Sequence, residues 1–181
     1  MPTVPELEQA FKVYFEEIEG CRARDCYWAL LHVVVNLPDI CGALESLGGE
    51  TTPNRYKDWC KRYRPSGLTG DEYWEMRNRV LHQGRSKTAN GRFYKFTKPA
   101  PDGSHAHRTT PSPDVMVLDV GELAKEMVSS IQKWFVDLQG PDAERRNNVT
   151  KNLPSLVTVK TQALPGITGV ITTYNVTGTS T

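Results

Sequence analysis

A chain of 181 residues, 38% hydrophobic and 24% charged, has the size and make-up of one globular domain, long enough to bury a core without disulfide or metal staples. This excludes a disulfide-built miniprotein and a disordered polyelectrolyte. The longest apolar run, Trp28 to Leu37, is about half of the roughly 20 residues a membrane span needs, and His32 interrupts it. The net charge of +1 conceals an asymmetry: residues 1–54 carry a net −6, residues 55–108 a net +8 and residues 109–181 a net −1. Such a central basic block either meets an anionic partner or is neutralised internally by the acidic N-terminal helix. The chain opens without a basic region followed by a hydrophobic stretch, so no secretory signal is read. Its four cysteines (Cys21, Cys26, Cys41, Cys60) form no Cys-x-x-Cys pair and lie in or beside apolar patterns. They read as buried free thiols of a reducing compartment, and the expected location is the cytoplasm, away from any membrane.

Taken in chain order, Glu6 to about Gly20 is an amphipathic helix. Leu7, Ala10, Phe11, Tyr14, Phe15 and Ile18 recur at spacings of three and four, with Gly20 as its stop. From about Arg24 to Leu47 the pattern is apolar around most of a helix, with Trp28, Leu31, Val34, Val35, Leu37, Ile40, Cys41 and Leu44. Pro38 predicts a kink or break inside it. Arg55 to Tyr63 is a short basic helix with Tyr56, Trp59, Cys60 and Tyr63 on one side. The next helix starts at Thr69, with Glu72 at capping-box spacing, carries Tyr73, Trp74, Met76, Arg77, Val80 and Leu81, and ends around His82 to Gly84.

Between Arg85 and Pro113 the helical period is lost. Asn90-Gly91 signals a turn, Arg92–Phe96 reads as a strand and Val115–Leu118 as its pairing partner. A last helix begins at Asp119, with Glu122 three on, buries Leu123, Met127, Ile131, Trp134, Phe135 and Leu138, and stops at Gly140-Pro141. The fold class predicted is therefore mostly all-α: a bundle of four or five helices over 1–140 with a β-hairpin insertion at 85–118. Residues 141–181 read as a β or irregular extension, with strands at Val157–Val159 and Val170–Thr173 that make a small hairpin or a loosely ordered tail.

The segment Glu75-Met76-Arg77-Asn78-Arg79-Val80-Leu81-His82 is the most informative in the chain. An arginine, a polar residue directly after it and a histidine five positions on resembles the Arg-x4–6-His signature of the HEPN superfamily. The match falls on Arg77, Asn78 and His82, and the all-helical layout extends it over roughly residues 5–140. The resemblance implies metal-independent endonucleolytic cleavage of RNA with 2′,3′-cyclic phosphate ends, at a composite site where the motifs of a homodimer face each other. Noncatalytic members that only dimerise and bind RNA or a protein are the alternative it implies. As partners it implies RNA, a second copy of the chain and, by analogy with toxin or defence members, an antitoxin or regulatory protein. Some toxins of the family carry a tyrosine two residues past the histidine that their antitoxin modifies. Gly84 stands there, so that route of control does not carry over.

The residue types suit the chemistry. Strand cleavage without a metal requires deprotonation of a 2′-hydroxyl, stabilisation of a phosphorane and protonation of the 5′-oxygen. Histidine titrates near neutrality and can move the protons. Arginine stays charged and offers a fork of donors to phosphate oxygens. Arg77 and His82 are thus the candidate catalytic pair, with Asn78 orienting one of them. On a regular helix five residues advance about 500°, leaving the two about 140° apart, so they converge only if the helix ends early or across a dimer. The plain structural reading pairs Arg77 with Glu72 or Glu75 and leaves His82 as a C-terminal cap.

Arg62, Arg79, Arg85, Lys87, Arg92 and Lys95 form the candidate RNA footprint. Asp39, just after Pro38, reads as the cap of a restarted helix or as a carboxylate supporting Arg77. His105-x-His107 has ligand spacing but no third ligand nearby, so solvated loop histidines are expected, and no metal. His32 reads as a core histidine. No Gly-rich phosphate loop, nucleophile elbow or His-Glu-x-x-His is present, and no cofactor is predicted.

Overall fold

The structure, a computed structural model, describes residues 2–63, 65–83, 85–88, 91–100, 102–156, 160–163 and 170–173, with backbone alone at 80–83, 160–163 and 170–173. Among these are six α-helices: α1 (Val4–Ala23), α2 (Tyr27–Leu44), α3 (Pro53–Tyr63), α4 (Gly70–Gln83), α5 (Val120–Asp137) and α6 (Ala143–Asn152). Five short strands accompany them: β1 (Phe93–Thr97), β2 (Thr109–Ser112), β3 (Val115–Asp119), β4 (Lys160–Ala163) and β5 (Val170–Thr173). The mostly helical class read from the sequence is the class observed.

α2 is the axis of the bundle and packs against α1, α3, α4, α5 and α6. That explains its composition: Leu30, Leu31, Val34, Val35, Leu37, Cys41 and Leu44 are all buried, because neighbours approach it from several sides. By length and composition it could cross a membrane, but half of that window is buried inside the protein, as in a core helix. Of the kink or break expected at Pro38, the break does not occur. The helix runs through it, and Pro38 is itself buried, so tertiary packing offsets the roughly 3 kcal/mol an interior proline costs. Trp28, read as core, is 57% exposed, and Leu47 lies beyond the helix at 69%.

Aromatic packing joins the first helix to the fifth. Phe11 meets Trp134 and Phe135 edge-on at centroid distances of 5.5 and 5.3 Å, and all three rings are fully buried. α1 begins on a capping box between Thr3 and Glu6 and passes through Gly20, the expected stop, to end one turn later. α4 begins on the Thr69–Glu72 capping box: the Glu72 amide donates to Thr69 Oγ1 at 3.1 Å and the Thr69 amide to Glu72 Oε2 at 2.9 Å. α5 starts on Asp119, whose carboxylate accepts from the Glu122 amide at 2.9 Å.

The insertion differs from a simple hairpin. β1 and β3 are neighbours, but they run parallel, with Phe93 opposite Val115 and Thr97 opposite Asp119. The hairpin is β2–β3, giving the strand order β1-β3-β2. A parallel pair needs a long crossover, and residues 98–114 provide it. β2 went unread because Thr-Thr-Pro-Ser has no apolar alternation; all four residues are exposed, and Pro111 is tolerated on an edge strand. Of the turn read at Asn90-Gly91, Asn90 lies outside the described residues, while the Gly91 amide donates to Thr88 O at 3.1 Å. β4 and β5 pair antiparallel, Ala163 opposite Val170; the strand read at 157–159 lies outside the described residues.

The larger correction is α6, which falls in the segment read as an irregular extension. It buries one apolar side chain, Val149, and docks mainly through polar groups. Asn152 Nδ2 donates to Leu44 O at 3.1 Å and to Ser46 O at 2.6 Å, and Asn148 Nδ2 donates to Glu45 O at 3.0 Å. Leu44 is the last residue of α2 and Glu45 its cap, so these two carbonyls are ones that the helix end leaves without helical partners, while Ser46 lies just beyond and also accepts from the Gly49 amide at 3.3 Å. Replacing Asn152 with Ala is expected to lower the unfolding free energy by about 1–3 kcal/mol, since it strands buried carbonyls. Urea denaturation measures this, and a change within error would show that α6 does not serve as the cap of α2.

Candidate functional site around Arg77

α4 turns Tyr73 and Met76 into the core and leaves Trp74 and Arg77 on the flank towards α2. Arg77 does not pair with Glu72 or Glu75 on its own helix. Its Nε donates to Asp39 Oδ2 at 2.8 Å, its Nη1 donates to Asn78 Oδ1 at 3.0 Å, and its guanidinium lies over the Trp74 ring at 5.1 Å. Trp74 is itself fixed edge-on against Tyr56 at 5.4 Å, and the buried Tyr56 hydroxyl donates to Val35 O at 2.9 Å. The arginine is thus held by a carboxylate, an amide and an aromatic face, with 20% of its side chain still reaching solvent.

Asp39 follows directly from the uninterrupted course of α2. With no restart after Pro38 there is no helix for it to cap, and its side chain, 13% exposed, turns towards α4. Sequence reading missed Trp74 as part of this clamp, although its position three residues before Arg77 puts both on one helical flank. Asn78 acts on Arg77 through its carbonyl oxygen.

His82 lies on α4, which continues to Gln83; its side chain is outside the described residues. On one α-helix, positions 77 and 82 lie about 140° apart around its axis. Early termination before His82, one of the two routes to convergence within the motif, does not occur.

The candidate RNA-binding residues do not form one footprint. Arg79 pairs with Glu75 at 3.8 Å, and Arg92 pairs with Glu72, whose other oxygen closes the capping box of α4. The Lys87 ammonium lies over the Phe93 ring at 5.0 Å, while Arg85 and Lys95 are exposed. Arg62 belongs to a separate cluster: it pairs with Glu45 at 3.3 Å, beside Arg145, which reaches Glu45 at 2.7 Å and Asp137 at 2.7 Å. Hydrogen bonds from Tyr63 and Arg145 hold the Asp137 carboxyl below the usual aspartate range. The pairs to Asp71, Glu72 and Glu75 lie within the block and are already counted in its net +8. The pairs that offset it from outside, among the described residues, go to Asp39 of α2, Glu45 just past its end and Glu126 of α5, not to the acidic α1.

The two loop histidines have different surroundings. His105 is exposed, but His107 is not a solvated side chain. Its Nδ1 accepts from the Asp119 amide at 3.2 Å, which leaves the ring proton on Nε2, 3.1 Å from Glu126 Oε2. That clasp ties the crossover loop to the start of α5. His32 sits on the half-covered face of α2, edge-on to Trp28 at 4.5 Å. Among the described residues no cluster of three or more His, Cys, Asp or Glu has the arrangement of a metal site.

No family model, curated protein or solved structure matches this chain.

A thermodynamic cycle over Asp39→Ala and Arg77→Ala tests the clamp. Both side chains are mostly buried, so a coupling of about 1–3 kcal/mol in urea denaturation is expected. Additive effects would mean that the two groups do not hold each other.

Proposed function

We propose that this protein is a metal-independent endoribonuclease of the HEPN type, working as a homodimer and leaving 2′,3′-cyclic phosphate ends. The observation that carries the reading is the clamp on Arg77. A cation fixed beforehand by Asp39, Asn78 and Trp74, but still one-fifth exposed, is suited to stabilising charge that develops on a phosphorane, because no reorganisation is needed at the moment of reaction. In this reading Arg77 binds the scissile phosphate, Asn78 and Asp39 orient it, and His82 transfers protons. RNA approaches over the α4–β1 side, past Arg79, Arg85, Lys87, Arg92 and Lys95. Arg62, held in the Glu45 cluster, has no part in it.

The 140° offset supports a site shared between two copies, with Arg77 of one subunit serving the same phosphate as His82 of the other. The reading from another class is a noncatalytic dimerising module that binds RNA or a protein. Its support is the Asp39–Arg77 ion pair, since a carboxylate already on the guanidinium competes with phosphate for it.

Purified protein incubated with mixed RNA in EDTA is expected to cleave it. Arg77→Ala should reduce the rate about 10²–10³-fold and His82→Ala about 10²–10⁴-fold. Mixing the two inactive variants should restore cleavage, because a heterodimer rebuilds one intact composite site. Absent cleavage, or cleavage unchanged in both variants, removes the enzyme. Salt-sensitive RNA retention indifferent to His82 would instead identify the binding module.

A further inference from the structure

The four cysteines were read as one class of buried thiol, and the structure divides them. Cys41 and Cys60 are fully buried, and burial pushes both thiols well up from their ordinary value. Cys26 is exposed, and Cys21 is partly so. These last two flank the turn between α1 and α2, and the backbone there has a specific form. The Asp25 amide donates to Arg22 O at 3.3 Å, the Cys26 amide donates to Cys21 O at 2.8 Å, and Asp25 has a φ of 56°. That is the Schellman ending of a helix, with Asp25 in the left-handed position usually held by glycine.

In this motif the residues joined by the bond that spans five positions frequently bring their side chains together in a hydrophobic contact. Here both are cysteines. The 2.8 Å bond also limits how far apart their α-carbons can be. With standard backbone dimensions the limit is about 6.7 Å, within the range of about 4.4–6.8 Å that disulfides span. Burial first, then the Glu17 carboxylate and Cys26, push the Cys21 thiol up from its ordinary value.

We propose that Cys21 and Cys26 are a redox-active pair that closes reversibly into an intrachain disulfide across the end of α1. Cys26 is the accessible thiol and reacts first. With a low-molecular-weight disulfide as oxidant, the Cys26 thiolate attacks one of its sulfurs. A mixed disulfide forms and the other half leaves as a thiolate. Cys21 then gives up its proton to solvent and attacks Cys26 Sγ, forming the Cys21–Cys26 bond and releasing the second half of the oxidant. Two thiols are oxidised and one small disulfide is reduced to two thiols. The Schellman bonds already hold the two α-carbons within disulfide range, and closure requires the Cys26 thiol to leave the Arg24 carbonyl, to which it donates at 3.6 Å. The bond fixes the corner from which α2, the carrier of Asp39, departs. This inference is independent of the nuclease reading.

The test uses the full reduced chain in buffers of graded oxidised and reduced glutathione, quenched with N-ethylmaleimide and mapped by mass spectrometry after trypsin. Trypsin cuts after Arg22 and Arg24, so Cys21 and Cys26 fall in separate peptides that only a disulfide keeps joined, and fragmentation of the 25–55 peptide, which also carries Cys41, assigns the bond to Cys26. The joined species is expected under oxidising ratios, with an intact mass about 252 Da below that of the quenched reduced chain (two maleimide adducts and two hydrogens fewer), lost on adding dithiothreitol and absent from Cys26→Ser. Cys41 and Cys60 serve as unreactive internal controls. A glutathione adduct persisting on Cys26 alone, a disulfide-linked dimer through Cys26, or thiols that stay reduced throughout would each overturn the proposal. The mapping is read on the natural sequence, so it does not depend on how well a variant folds.

Discussion

A helix enclosed by other helices cannot leave a carboxylate unpaired, and α2 carries two that are largely removed from solvent. Asp39 lies within it and Glu45 at its C-terminal end. Desolvating an isolated carboxylate costs several kcal/mol, so each must recruit donors, and the donors it recruits decide how the neighbouring helices sit. Asp39 takes Arg77 from α4. Glu45, where an acid opposes the helix dipole, takes Arg62 from α3, Arg145 from α6 and the Trp134 indole N–H of α5 at 2.6 Å. The two acids thus help to position four of the five helices that surround α2.

Fold and candidate chemistry share this constraint. The pairing that keeps Asp39 from being an uncompensated buried charge also keeps Arg77 in one orientation, so the group proposed to meet phosphate is built into the packing rather than carried on a loop. Asn78 and Trp74 complete its restraint from the same helix. The cost of this design is competition: a guanidinium already engaged by a carboxylate has less to offer an incoming anion. The same logic runs through the basic block, where Glu72 both caps α4 and holds Arg92, and Glu75 holds Arg79. A net charge read by segment already counts these two pairs; what it misses are the pairs that reach outside residues 55–108, from Arg77 to Asp39, Arg62 to Glu45 and Arg108 to Glu126.

The α6 docking shows a different limit. Its ten residues bury one apolar side chain and anchor through Asn148, Asn152 and Arg145, so neither periodicity nor hydropathy announces that it covers the end of α2. The terminal carbonyls of α2 require partners, but nothing in the sequence says that two asparagines a hundred residues away supply them.

What the sequence determined by itself was whatever depends on spacing along the chain. The periodic apolar stripes located α1 to α5, and capping residues fixed the starts of α4 and α5 at Thr69 and Asp119. Arg77, Asn78 and His82 were marked by residue type and interval. What only the tertiary structure decided was whatever depends on groups far apart in sequence: the parallel pairing of β1 with β3, the passage of α2 through Pro38 because its surroundings hold it, and the choice of Asp39 over Glu72 or Glu75 as the partner of Arg77. It also decided which cysteines reach solvent. The physical reason is the same throughout. Local rules set the conformation of a segment, but the partner of a buried polar group is chosen by three-dimensional proximity and the cost of leaving that group alone.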